Sequence, residues 1–294
     1  MKGNTKMLIT KRKEITEEER KLGYSKYFDL PLYSLGAREE ELLDLACPFD
    51  SSKAIKAQNW LDLLKANEYS EPEWGYTMMP DGTGYIAVYT VYPNATPTML
   101  AWYFRWLNVH SKGMPKNHGN LKYKIWNPAD HYDHGFINKK DKWDGIYTVE
   151  SLDLGEGEPP TYTIRNAIDP KVLRDYGFTE EREKALKEAG CFVDCAVESF
   201  HTLTPDHTRL PGSHLCLTLS RACPQGGMEK CSREWIGYGI KNGKVVKDET
   251  TPDFMLSEKY LKKVITHSTI EAQQLAKFLP DLYNEYHEFP DDAD

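Results

Sequence analysis

The sequence predicts an α+β fold in which a curved antiparallel sheet closes on a long terminal helix, and three observations predict it. Residues 11–70 read as polar and helical. Most of 121–246 consists of strand-like runs separated by loops rich in Pro, Gly and Asp. The chain then finishes on one long helical segment from Leu256 to Tyr286. We therefore expect a helical N-terminal region over 1–70 and a main domain over 71–294.

The N-terminal helices are EITEEERKLGYSKYF, AREEELLDLA and SSKAIKAQNWLDLLKANEY. In the last, Ala54, Ala57, Trp60, Leu61 and Leu64 fall at helical spacing, with Ser52 placed to cap. The texture then changes, because GYTMMPDGTGYIAVYTVYP sets the turn PDGTG between aromatic-rich runs and reads as a hairpin. TPTMLAWYFRWLNVH follows as a short helix, capped by Thr96 with Pro97 at its first position. The candidate strands are KYKIW, YTVESLDL, TYTIRN, CFVDCAVESF, SHLCLTLSR and REWIGYGI, and EEREKALKEAG is a helix stopped by Gly190. Ser257 caps the last helix, Pro280 should kink or restart it, and the tail FPDDAD should fray.

Composition removes several classes of function. The net charge of −8 argues against coating nucleic acid or an anionic membrane, both of which reward basic patches. No apolar run approaches the roughly 18 residues of a membrane span. The opening residues lack the apolar core of a secretory signal, so we expect a cytoplasmic protein whose six cysteines are thiols. Spacings such as Cys191-x3-Cys195 and Cys223-x7-Cys231 miss the paired knuckles of structural zinc sites. There is no nucleophile elbow, dinucleotide fingerprint or phosphate loop. What stands out is 12% aromatic content, with Tyr far outnumbering Phe.

Two clusters carry candidate chemistry. His267 and Glu271 are one helical turn apart and leave the same face, a platform suited to zinc. IWNPADHYDHG places His131 and His134 where a strand meets a loop, with Asp130 or Asp133 able to orient a ligand imidazole. Glu150 stands among apolar neighbours in YTVESLDL, where a carboxylate is costly unless paired or metal-bound, and Glu156 is its competitor. His214 opens a strand and faces either an interior or an edge. His110, His118, His207 and His287 read as solvated, and Tyr123 and Tyr238 as strand aromatics.

GYTMMPDGTGYIAVYTVYPNATPTMLAWYFRW, YKIWNPADHY, SREWIGYGI and the terminal H-x3-E helix together resemble the 2,4-diacetylphloroglucinol hydrolase family, which includes phloretin hydrolases. The resemblance spans roughly residues 70–290. It implies a helix-grip, Bet v 1-like catalytic domain that hydrolyses the carbon–carbon bond between a phloroglucinol ring and its acyl group. It also implies Zn2+ held by two His and two Glu, here His131, Glu150, His267 and Glu271. Tyr123, His214 and Tyr238 would be catalytic, and His134, Tyr123 and Trp126 would bind substrate. His134 stands where the family can carry Asn. The partner is a small polyphenol, and a homodimer is the family's expectation. The competing class is a non-catalytic carrier of aromatic ligands, which would have no need of converging His and Glu side chains.

Overall fold

The computed structural model describes residues 15–44, 49–65, 68, 71–114, 118–137, 145–155 and 157–288. Glu156, Cys47 and the tail 289–294 lie outside these residues. The element order is α1 (Glu17–Arg20), α2 (Ala37–Asp44), β1 (Gly75–Met78), β2 (Gly84–Tyr92), α3 (Pro97–Trp106), α4 (Leu121–Lys124), β3 (His131–Phe136), β4 (Ile146–Glu150) and β5 (Thr161–Ala167). There follow α5 (Pro170–Asp175), α6 (Glu180–Glu188), β6 (Phe192–His201), β7 (Arg209–Ala222), β8 (Met228–Ile236), β9 (Tyr238–Lys241), β10 (Lys244–Lys247) and α7 (Glu258–Tyr286). Eight strands form one antiparallel sheet in the order β1-β2-β8-β7-β6-β5-β4-β3, and β9 and β10 form a separate hairpin.

Side chains alternate across this sheet, so each central strand feeds two different environments. On one face Tyr85, Ala87, Leu215, Leu217, Leu219 and Trp235 pack against Trp60, Leu61, Leu63 and Leu64 from the N-terminal region. On the other, Ile86, Val88 and Ile236 meet Leu261, Val264 and Ile265 of α7. Farther along α7, Leu275, Phe278, Leu279 and Leu282 join an aromatic cluster with Tyr103, Trp106, Tyr123 and Trp126. That burial holds α7 as one helix through Pro280, without the expected restart. Thr96 and Ser257 cap α3 and α7 as expected, accepting from the amides of Met99 and Tyr260.

Three local expectations are corrected. Residues around Trp60 form two 3-10 turns, Ser51–Lys53 and Ala57–Leu63, in place of an amphipathic α-helix. The cap there is Asp50, which accepts from the Ser52 amide, and Asn59 breaks the helical run at φ −109°. KYKIW is not a strand but the helical turn α4 and its exit. Asn120 caps that turn by accepting from the Lys122 amide at 3.0 Å. Gly119, at φ +74°, lets the chain pass β3, since a Cβ there would lie 2.1 Å from the Tyr132 carbonyl oxygen. His131 therefore opens strand β3 instead of lying in a loop. Third, REWIGYGI is split at Gly237 (φ +89°), which ends β8 and starts β9.

Candidate metal centre

The helical turn α4, the first residue of β3, the last of β4 and the middle of α7 meet at one point. His131, His267 and Glu271 each bring a ligand atom there, all within 4.8 Å of one another. Glu271 Oε2 is 3.4 Å from His131 Nε2 and 3.8 Å from His267 Nε2. Glu150 Oε2 lies 3.7 and 3.9 Å from the same two nitrogens. Ligands about 2.1 Å from a tetrahedral zinc stand about 3.4 Å apart, so these separations match a metal-sized gap. β3 and β4 place His131 directly opposite Glu150 in register, and α7 brings His267 and Glu271 one turn apart to the same point.

Both imidazoles are fixed from behind. His131 Nδ1–H donates to the Tyr123 carbonyl oxygen at 3.1 Å, and its ring stacks on the Tyr123 ring at 3.7 Å. His267 Nδ1–H donates to the Asp130 carboxylate at 2.8 Å. Each Nε2 is thereby turned inward, where a metal would bind it in place of any proton. The His131 side chain is wholly buried, yet its Nε2 has no hydrogen-bond partner. Such a buried orphan acceptor, facing two carboxylates, fits a cation between them. Burial alone would depress the imidazolium of His267, but Asp130, Glu150 and Glu271 together hold it up to about 9. The site is therefore electron-rich and selects positive charge.

A cavity of about 160 Å³ opens beside this cluster, between the inner face of the sheet and α7. Tyr123, Trp126, His134, Glu150, His214, His267 and Glu271 all line it. The Tyr123 hydroxyl donates to Glu150. Burial, with Glu150 and Glu271 alongside, raises its pKa well above the usual value. His214 is neutral at physiological pH because burial drives its pKa to about 3, and its Nε2 is unpartnered. His134 is also driven well below the ordinary value, chiefly by burial, and its Nδ1 is unpartnered. Trp126 donates its indole N–H to the Glu271 carbonyl at 2.8 Å, tying the cavity wall to the helix that carries the ligands.

Tyr238 is placed elsewhere. The break at Gly237 turns it onto the outer face, where its hydroxyl donates to Asp81 at 2.5 Å. Asp130 holds His267, not His131 or His134 as expected, and Asp133 pairs with His110 Nε2 at 2.6 Å. Sequence reasoning missed a set of charged groups on the cavity floor: Arg165, Asp194, Glu198, Lys230 and Glu234. Arg165 bridges Asp194 at 2.5 Å and Glu198. Glu234 is pushed up to about 8 by burial and by nearby Glu198 and Glu271. The available signal was Asp194 and Glu198, four apart and so on one face of the strand CFVDCAVESF.

Comparison with known proteins gives the chain's relatives. The chain is 27% identical to a phloretin hydrolase of Eubacterium ramulus, over 92% of this chain and 93% of that protein. It is 25% identical to a 2,4-diacetylphloroglucinol hydrolase of a Pseudomonas species, over 76% of this chain and 74% of the relative. A 2,4-diacetylphloroglucinol hydrolase of Pseudomonas protegens is 22% identical, with 93% and 95% covered. Residues 55–284 match the model of the DAPG hydrolase PhiG domain, a span that includes every residue of the cluster and its cavity, and the chain belongs to that family.

Proposed function

We propose that this protein is a zinc-dependent hydrolase that cleaves the carbon–carbon bond between a phloroglucinol ring and its acyl group. The observation that carries the reading is the convergence of two back-tied imidazoles and Glu271 within 4.8 Å at the wall of a polar cavity between sheet and helix. Family membership supports the reaction, and the donor set of nitrogen and carboxylate oxygen suits zinc. His131, His267 and Glu271 would hold the ion, with Glu150 as fourth ligand. Zinc bound there lowers the pKa of a coordinated water from about 16 toward 7, supplying a nucleophile at neutral pH.

The chain's own residues supply the rest. Overall, water adds across the ring–acyl bond: its hydroxyl ends on the acyl carbon and its proton on the ring carbon. Neutral His214 and His134 can hold the ring hydroxyls, each having an unpartnered nitrogen in a buried wall. Trp126 and Tyr123, edge to face at 5.8 Å, both line the cavity and would contact the phloroglucinol ring from the same wall. Tyr123 remains protonated; turned from Glu150 toward the ring carbon, it could deliver its one hydroxyl proton there and regain one from the added water, a task worth about 10²–10⁴-fold. Tyr238, held by Asp81 on the far face, has no part in this scheme. We extend the proposal to a helix-grip, Bet v 1-like domain, a homodimer and a cytoplasmic setting.

The test is zinc content together with phloroglucinol release, for the wild type and His267→Ala. Stoichiometric zinc and activity in the wild type, both lost in the variant, are expected. A metal-free active wild type would sink the reading. Glu150→Gln should lose metal, whereas Glu156→Gln should keep it.

A further inference from the structure

Next to the metal cavity is a second, larger chamber of about 580 Å³, bounded by β4, β5, the start of β7 and the first turns of α7. Glu150, Leu152, Thr163, Phe200 and Tyr260 line both spaces and form the waist between them. The two differ in size and character. An apolar cavity of about 150 Å³ holds a benzene molecule, so the inner space of about 160 Å³ suits one aromatic ring. The outer chamber falls within the roughly 300–1,000 Å³ of ligand pockets. Its walls are largely apolar, including Phe200, Leu210, Pro211, Pro252, Phe254 and Met255. Phe254 is 65% exposed and Leu210 38%, two of the few large apolar side chains so open among the described residues. Apolar surface left open around a concave site marks a ligand-binding region.

We propose that this outer chamber is the acyl-tail site, and that the substrates are therefore phloroglucinols carrying a bulky apolar acyl chain, such as an arylpropanoyl group, in preference to an acetyl group. This rests on the hydrolase reading above. The bond to be cut joins ring to acyl carbon. With the ring in the inner cavity and the carbonyl beside Glu150, the tail continues through the waist. An acetyl methyl ends at the waist and leaves the chamber to water. A longer tail replaces that water with Phe200, Met255 and Phe254. Lys259 and Lys263 also line the chamber, Lys263 in an ion pair with Glu158.

The experiment compares phloretin with monoacetylphloroglucinol on the wild type and on a Phe254→Ala, Leu210→Asn double variant, measuring both kcat/KM and binding by calorimetry. In apolar pockets one methylene is worth about 10–200-fold, so the wild type should favour phloretin at least tenfold. The double variant should lose about five- to tenfold on phloretin, mainly through KM, and less than twofold on the acetyl compound. Equal preference in the wild type, or equal losses on both substrates, would overturn the assignment. If neither ketone is cleaved, the hydrolase reading itself fails. Calorimetry then decides the chamber separately: tighter phloretin binding that the double variant abolishes supports it, and equal binding of the two ketones refutes it.

Discussion

The two faces of β7 and β8 are built from interleaved residues of the same strands, yet they are chemically opposite. Leu215, Leu217, Leu219 and Trp235 point outward into an apolar core, while His214, Cys216, Thr218 and Glu234 point inward onto a polar cavity. The outer set follows the ordinary logic of burial, in which each large side chain removed from water stabilises the fold by about 1.5–3 kcal/mol. The inner set breaks that logic, since a neutral histidine and a carboxyl pushed up to about 8 are buried there. One face supports the fold and the other carries the chemistry at a cost in stability, which predicts that substitutions on the two faces separate stability from function.

The largest separation is expected at Trp235, which is 1% exposed and donates to the Ile55 carbonyl at 2.7 Å. Trp235→Ala should lower unfolding free energy by about 3–5 kcal/mol in urea denaturation. Below its transition it should bind metal as the wild type does, and loss of metal binding while still folded would break the division between faces. Next is Asp130→Asn, which keeps an acceptor for His267 Nδ1–H but removes the charge. Replacing such a partner typically weakens metal binding about 10–100-fold, which competition against a chelator would measure. An unchanged affinity would show that Asp130 serves packing alone.

The smallest effect, and one of opposite sign, is expected at Glu234. Its carboxyl is held up by burial first, then by Glu198 and Glu271, from an ordinary 4.5 to about 8. Between those values the folded chain keeps a proton that the unfolded chain releases. Stability therefore falls as pH rises through that window and levels off above it. Glu234→Gln should flatten that slope and leave the protein no less stable at pH 8.5. A slope identical to the wild type's would remove Glu234 from the account.

Much of the fold was legible because its signals are local. The PDGTG hairpin, the Thr96 and Ser257 caps and the His267–Glu271 turn each depend on residues within a few positions of one another. The failures came where distant parts of the chain decide the outcome. KYKIW alternates like a strand, but Lys122 is fully buried and donates to the carbonyls of Trp106 and Val109 at 3.2 and 2.8 Å. No periodicity rule anticipates a buried lysine satisfied by a preceding helix. Tyr238 sat on a plausible strand, and a single glycine turned it to the other face. Asp130 was recognised as an orienting carboxylate, yet its histidine lies 137 positions away. Within the metal cluster, residue types were readable and mutual geometry was not.

Lys124 and Glu19 carry a consequence for anyone who would make this protein smaller. Their 2.8 Å ion pair lies inside the molecule, with Glu19 only 1% exposed, and it pins α1 to the same helical turn that holds Tyr123. A shortened chain beginning near residue 71 would leave an ammonium group stranded in the interior, at a penalty of several kcal/mol. It would also uncover the apolar side of the sheet where Trp60 sits. A trimmed catalyst would thus have to neutralise position 124 and repolarise an entire sheet surface before its metal pocket could be expected to survive.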